Sequence, residues 1–353
     1  MSIIAHERPG VYSSYDASAA VSRAAGSKCV GLAVRMSEPA QGMWQFSRYE
    51  QAVAAFGVGE QESPAQLVRL LLENGAAQVF VYPVEGEDKA DYRTVFDTMA
   101  AQEDLAVLVC DSTLVQVQQV LRDSINTACA AQRECIAVVA GDACESVDEL
   151  VERAQAINSE RMVLTAPGCV DAQGDSISGL QIAAATAGVI AGQTDPALPL
   201  GGAVLGGLYG VDGQYEDSEL DVLIRGGVTP VQELSGTVCV VRGVTTRTKV
   251  DGAPDTTWRD LNSILVVDDV ILSVRNTLKS RFRRAKNTAQ TRGAIRSQVV
   301  LELENKLARE IITGYDEVSV QQDSEDPTRC LVDFSFAVTH GINQIWLSAH
   351  ITI

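Results

Sequence analysis

From residue 105 onward, short apolar runs alternate with longer helical ones. LAVLVC (105–110), CIAVVA (135–140) and MVLT (162–165) read as strands. Residues 114–130, 147–157 and 180–191 carry helical spacing, and the second of these opens with Ser146 and Glu149 at capping-box separation. The strands begin about 25 to 30 residues apart, the length a chain needs to leave one strand, cross the sheet as a helix and re-enter in the same direction. A parallel sheet covered by helices is expected here. Upstream, KCVGLAVRM (28–36) and AQVFVYPV (77–84) read as strands. Between them lie GMWQFSRYEQAVAAFG (42–57), leading into a short helix, and PAQLVRLLLENG (64–75), a helix ending on Gly75.

Length and composition bound the rest. A chain of 353 residues has room for two or three domains, and 46% hydrophobic with 21% charged residues excludes global disorder. A net charge of −18 argues against general binding to nucleic acid or an anionic membrane. No apolar run reaches spanning length and MSIIAHERPGVY lacks the features of a signal peptide, so the chain is expected to stay in the cytoplasm where it is made. The eight cysteines, at 29, 110, 129, 135, 144, 169, 239 and 330, form no C-x-x-C pair and read as reduced, mostly buried thiols.

Against this acidic background, residues 271–300 hold Arg275, Lys279, Arg281, Arg283, Arg284, Lys286, Arg292 and Arg296 and no acidic residue. From about residue 257 the pattern is helical, with Ile264, Val267, Ile271, Val274, Leu278 and Phe282 expected on one apolar face. At 100° per residue, Arg275, Lys279, Arg283 and Lys286 form a stripe beside that face, while Arg281 and Arg284 fall elsewhere. A solvated face explains most charge runs, but an exposed helix of an acidic protein ordinarily mixes signs, so a docking surface for an acidic partner is the stronger reading. A second helix carries Ile295, Val299, Leu303, Leu307 and Ile311, with Glu302 and Lys306 as an i,i+4 pair and Gly314 as its stop.

Both ends of the chain read as extended. Residues 1–25 show no periodic apolar stripe and form an expected arm. At the other end Val332, Phe334, Phe336 and Val338 alternate, a turn falls near Gly341, and Ile345, Leu347, Ala349, Ile351 and Ile353 alternate again up to the last residue. That last strand needs a sheet edge, either in its own domain or in a neighbouring subunit.

Catalytic signatures are scarce. The three histidines, His6, His340 and His350, all lie in the terminal segments, so a Ser-His-Asp or Cys-His arrangement has no base in the α/β region. The glycine-rich loop at 201–210 lacks the lysine of a phosphate cradle and reads as a surface turn. EDSELD (216–221) lacks calcium-loop spacing and reads as a solvated helix start. No catalytic, cofactor or metal site is expected.

Taken together, the segments resemble the contractile tail sheath proteins of myophages and R-type bacteriocin particles. RPGVYSSYDA (8–17) is similar to the sheath N-terminal arm, and KCVGLAVRMSEPAQG, AVAAFG and LLLENGAAQVFVYPV to the first β-rich region. IAAATAGVIAG (182–192) and VVRGVTTRT (240–248) resemble the close of the middle domain. WRDLNSILVVDDVILSVRNTL (258–278), RFRRAKNTAQTRGAIRSQV (281–299), LARE and ITGYD resemble the C-terminal domain.

The resemblance implies a subtilisin-like α/β middle domain, a C-terminal α+β domain and extended strand arms at both ends. Its expected divisions are 1–25 (N-terminal arm), 26–90 (small β-rich region of the outer domain), 91–240 (α/β outer domain), 241–335 (inner domain) and 336–353 (C-terminal strand arm). It also implies hexameric rings stacked on an inner tail tube and contacts with baseplate and tail terminator proteins, with no nucleic-acid or membrane partner and no cofactor. By the same resemblance Arg275, Lys279, Arg283 and Lys286, with Arg281 and Arg284 as further candidates, face the tube, while Val11, Tyr12, Ile345, Leu347, Ala349, Ile351 and Ile353 link subunits by strand addition. Assembly in the bacterial cytoplasm and residence in the tail of a released particle would follow. The alternative is an oligomeric α/β enzyme or anion-binding protein.

Overall fold

The structure, a computed structural model, describes residues 28–36, 42–58, 63–142 and 145–349. The N-terminal arm with Val11 and Tyr12, and the last residues with Ile351 and Ile353, lie outside the described residues.

The first described segments form β1 (Cys29–Arg35), β2 (Trp44–Phe46), α1 (Tyr49–Phe56), α2 (Pro64–Glu73), β3 (Gln78–Val84) and α3 (Lys89–Ala100). The alternation continues as β4 (Leu105–Cys110), α4 (Val115–Ala130), β5 (Ile136–Ala140), α5 (Val147–Ile157) and β6 (Met162–Ala166). A hairpin of β7 (Cys169–Val170) and β8 (Ser176–Ile177) precedes α6 (Leu180–Gly192) and α7 (Asp217–Arg225), and β9 (Val228–Leu234) and β10 (Thr237–Val240) complete this half.

One eight-stranded sheet results, in the order β10-β9-β6-β5-β4-β1-β3-β2. Its six inner strands run parallel and its two edge strands antiparallel. β1, β2 and β3, from the part expected as the small β-rich region of the outer domain, extend the same sheet that the strands of 91–240 build. Every residue of β5 and β6 is buried, as a strand covered on both faces requires. On one face Val30, Leu32, Val107, Val109, Ile136, Val138 and Val163 pack with Leu67 and Leu71 of α2 and Ile182 of α6. On the other, Leu108, Ala137, Val139 and Leu164 meet Phe96, Leu121, Ile125 and Leu150 from α3, α4 and α5. Strand period two sends alternate residues to the two cores.

The small residues of α6 let it lie flat between the sheet and α2. A Cβ on Gly188 would stand 2.7 Å from the Leu71 carbonyl oxygen, and one on Gly192 would stand 2.9 Å from the Cα of Gly75. Ser146 and Glu149 form the expected capping box.

The C-terminal half begins with the hairpin β11 (Lys249–Val250) and β12 (Ala253–Pro254), followed by α8 (Leu261–Arg281) and α9 (Ala289–Ala308). Two antiparallel ladders close it. β13 (Ile312–Tyr315) pairs with β16 (Phe336–Val338), and β14 (Ser319–Gln322) with β15 (Cys330–Asp333). Its core joins Val266, Val270 and Val274 of α8 to Val299 and Leu303 of α9 and to Ile311, Ile312 and Val318.

Several expectations for this half need correction. The buried stripe of α8 is Val266, Val270 and Val274, while Val267 and Ile271 are only half-buried. The N-terminal turns of α8 instead insert Leu261, Ile264 and Leu265 into the core beneath the large sheet. One helix thus serves two cores on different faces, which a single apolar stripe does not describe. Gly314 does not stop α9: the helix ends at Ala308 and Glu310 reverses the chain with a left-handed φ of 58°, leaving Gly314 inside β13. Lys306 pairs with Asp269 and not with Glu302, which accepts hydrogen bonds from Thr277 (3.1 Å) and Gln298 (3.1 Å).

Candidate interaction surfaces of the C-terminal half

The basic window divides into engaged and free cations. Arg275 reaches across to the turn after α4 and donates to both oxygens of Glu134, each at 2.7 Å, and to the Gln132 carbonyl at 3.1 Å. That guanidinium holds the Glu134 carboxyl below its ordinary range. Arg281 donates to Gln298 on α9. Arg292 donates to Asn287 (2.9 Å) and Gln322 (3.3 Å), and Arg296 to the Val318 carbonyl (2.9 Å) and Glu317 (3.2 Å). These four arginines stitch α8 and α9 to the rest of the protein.

Lys279, Arg283, Arg284 and Lys286 are exposed, and their side chains have no hydrogen-bond or ion-pair partner among the described residues. The helical stripe expected through Arg283 and Lys286 is not continuous. α8 ends at Arg281, Phe282 forms its C-cap with its N–H on the Leu278 carbonyl, and residues 283–287 make the turn into α9. The free cations therefore cluster on the tip formed by the last turn of α8 and that turn. Cations near a helix C-terminus oppose its negative dipole end, which supports part of the cluster locally. It leaves four unpaired like charges within the last turn of α8 and the turn that follows it.

Buried ion pairs seat α8 on the large sheet. Arg161, just before β6, donates to both oxygens of Asp268 at 2.7 and 2.8 Å, with side chains only 11% and 15% exposed. Burial pushes the Asp268 carboxyl up and the Arg161 pair opposes that push. Lys306 of α9 reaches Asp269 and ties the two helices together, and the half-buried pair of Arg242 with Asp260, at 2.7 Å, holds the N-cap of α8. Sequence reasoning missed Asp268 and Asp269, although two adjacent carboxylates inside the apolar run ILVVDDVI were a usable signal, because such charges require buried partners.

The final described residues are anchored and then released. The Thr339 hydroxyl donates to the Glu310 carbonyl (2.6 Å) and its N–H to that of Ile311 (3.3 Å), and Gly341 lies against Pro199. Beyond that point residues 342–349 join no ladder, with Ile345 85%, Trp346 91% and Leu347 92% exposed, and Ala349 exposed beside them. Of the two pairings open to this segment, the one within its own domain is not formed among the described residues. Both C-terminal ladders contain only two strands there, so each has open edges.

The C-terminal ends of the sheet strands, where α/β proteins place ligands, are occupied by structural contacts. The Tyr92 hydroxyl and the Arg35 N–H each donate to Asp111 at 2.6 Å, and buried Arg153 is held by Glu145 and by the side chain of Gln118. The one described histidine, His340, is exposed in the C-terminal segment. The glycine-rich loop is tied to α2 by Asn74, which accepts from the Gly206 N–H (2.8 Å) and donates to its carbonyl (3.0 Å), and by Arg69 on Gly207 (3.0 Å). The acidic run caps α7 through Glu216 and Glu219. Among the described residues, no cluster of three or more His, Cys, Asp and Glu side chains is placed to hold a metal ion, and no helix is long and apolar enough to cross a membrane.

Residues 85–246 match the phage tail sheath protein central domain and residues 253–352 the phage tail sheath C-terminal domain, in order and over about three quarters of the chain together. The chain belongs to the phage tail sheath family. It is 28% identical over 287 residues to the tail sheath protein of Bacillus phage SP01, a match covering 75% of this chain and 46% of that relative. The sheath chain thus spans about half the length of the curated relative it matches.

In fold it resembles the contracted helical sheath of the anti-feeding prophage, with a TM-score of 0.72, 16% identity, and 98% of this chain and 99% of that one covered. A sheath tail protein from Listeria innocua matches with a TM-score of 0.69 at 12% identity, covering 92% and 98%. A chain of the anti-feeding prophage baseplate matches with 0.74 at 15%, covering 99% and 100%. The tail sheath family is structural, not enzymatic.

Proposed function

We propose that this sheath protein polymerises as hexameric rings stacked helically around an inner tail tube and contracts to drive that tube through a target cell envelope. The observation that carries the reading is the C-terminal run at 342–349, apolar and unpaired beside two ladders with open edges. A strand with Ile345 and Leu347 on one side and Trp346 on the other is stable only inside a larger sheet, and a ladder in a neighbouring subunit supplies one. In this reading Ala349, Ile351 and Ile353 extend that strand, and Val11 and Tyr12 lie on the matching N-terminal arm. The large parallel sheet with its helices is the subtilisin-like middle domain of the sheath.

The tip bearing Lys279, Arg283, Arg284 and Lys286 faces an acidic inner tube. Arg275 is withdrawn from that role by Glu134, and Arg281 supports the tip through Gln298. Exposed pairs contribute only about 0.2–1 kcal/mol each, so the grip holds collectively and releases easily. Contraction then replaces tube contacts with larger contacts between subunits, and the ion pairs under α8 make each subunit turn as one body. Baseplate and tail terminator proteins bound the assembly at its ends, and neither nucleic acid nor membrane is a partner. The subunit assembles in the bacterial cytoplasm and resides in the tail of the released particle.

Electron microscopy of the full chain coexpressed with its tube protein tests this reading. Sheathed tubes are expected, and a variant lacking 344–353 should stay soluble without polymerising. Normal polymers from the truncated chain would remove the strand-donation role. Monodisperse monomers of the full chain, with tube present, would count against a sheath.

A further inference from the structure

Two reduced cysteines, Cys129 and Cys135, lie at one junction. Cys129 is in the last turn of α4 and Cys135 immediately precedes β5. Between them the chain reverses at Gln132, whose φ of 64° is left-handed, and the Arg133 N–H closes the turn on the Ala128 carbonyl at 3.0 Å. This reversal brings the Cys129 sulfur to 4.0 Å from the Cys135 carbonyl oxygen, and both cysteines join the core on the same face of the large sheet. Cys135 is buried and Cys129 half-buried, so Cys129 is the more accessible of the two.

The surroundings are ionic. Arg161 donates to the Cys135 carbonyl at 3.4 Å while paired with Asp268, and Glu134, between the two cysteines, holds Arg275. The Cys129 thiol is pulled down to about 7, first by the neighbouring Cys135 and also by the Arg161 guanidinium, against the effect of burial and of Asp268. A thiolate is the nucleophilic form, so a half-buried thiol near 7 beside a buried partner has the chemistry of an attacking and a resolving cysteine.

We propose that Cys129 and Cys135 form a reversible disulfide on the seat of α8, made by hydroperoxide and broken by a dithiol. The Cys129 thiolate attacks one oxygen of hydrogen peroxide and expels hydroxide, giving a sulfenic acid. Cys135 then loses its proton to solvent and attacks that sulfur, and the second hydroxide leaves. Two thiols and one peroxide become one disulfide and two waters, the sulfurs oxidised and the peroxide reduced. The bond closes the 129–135 turn covalently and fixes Glu134, and with it the anchor of Arg275. A C-x5-C spacing has no motif signature, so nothing in the sequence singles this pair out from the other six cysteines.

Full-length protein, treated with hydrogen peroxide, then denatured and labelled with N-ethylmaleimide, tests the assignment by mass spectrometry. The expected result is two fewer labels and a tryptic link between peptides 123–133 and 134–153, with fragmentation placing the link on Cys135 and not on Cys144. Dithiothreitol should restore both labels, and the oxidised protein should unfold at higher temperature than the reduced. Cys129→Ser, at the half-buried position, should lose the link and keep its unfolding midpoint, and Cys135→Ala should leave Cys129 open to sulfinic acid formation. Full labelling of both cysteines after peroxide, a link to Cys144, or sulfinic acid at Cys129 in the wild-type chain would overturn the proposal.

Discussion

Replacing Asp268 by alanine removes one partner of the most buried ion pair beneath α8. In the native protein the Arg161 guanidinium gives two hydrogen bonds to Asp268 and one longer contact to the Cys135 carbonyl. Without Asp268 that charge stays enclosed with only the weaker contact, and breaking a buried pair in this way costs about 3–5 kcal/mol. With an unfolding entropy of about 2.1 cal/mol/K per residue over the whole chain, the loss corresponds to roughly 4–7 °C in the unfolding midpoint. Scanning calorimetry of unassembled protein reads this directly. The double variant Arg161→Met/Asp268→Leu carries no buried charge and should return to within about 1–2 kcal/mol of wild type, since apolar replacements of buried pairs are often neutral. A midpoint for Asp268→Ala within about 1 °C of wild type would refute the claim that this pair seats α8. Failure of the double variant to recover would mean that the loss comes from shape and not from stranded charge.

Reversing Arg283, Arg284 and Lys286 to glutamate should leave the monomer's unfolding midpoint nearly unchanged, because these side chains are exposed and make no hydrogen bond or ion pair among the described residues, while tube-templated assembly measured by sedimentation falls sharply; unchanged assembly at low salt would remove the docking role. Gly188→Ala should destabilise the α2–α6 contact by about 1–3 kcal/mol, read by urea unfolding, since its Cβ meets backbone that has little room to yield. Acid stability offers a signed test at Glu134. Its folded-state value is depressed by Arg275, so its contribution is present above the ordinary value near 4.5 and is lost as pH falls through the lower folded value. Glu134→Gln should therefore flatten the fall in stability below about pH 4.5, and an unchanged acid profile would contradict the pairing.

What the sequence made legible follows from how local each signal was. β4, β5, β6 and the capped α5 were readable because a strand buried on both faces is apolar throughout and a capping box needs only four residues. β9 escaped notice because Pro230, Gln232 and Glu233 break its apolar run as it leaves the sheet centre, and α3 because its sequence is mostly polar outside Tyr92, Phe96 and Met99. The basic window was visible as composition, yet its division was not. Whether an arginine is free depends on Glu134, Glu317 or Gln298, which come near only after folding. The helical wheel failed from Phe282 onward because a wheel assumes the helix continues, and α8 stops one residue earlier.

The double anchorage of α8 has a mechanical meaning. At 1.5 Å per residue its 21 residues make a rod about 31 Å long, with its first turns sunk in the core beneath the sheet and its middle gripped by the α9 core. A force applied at the basic tip meets no slack joint on its way to the sheet. Torque on the tip is therefore delivered to the whole subunit as rotation, and whatever bending accompanies a change of assembly has to fall on segments outside this rod and its two sockets.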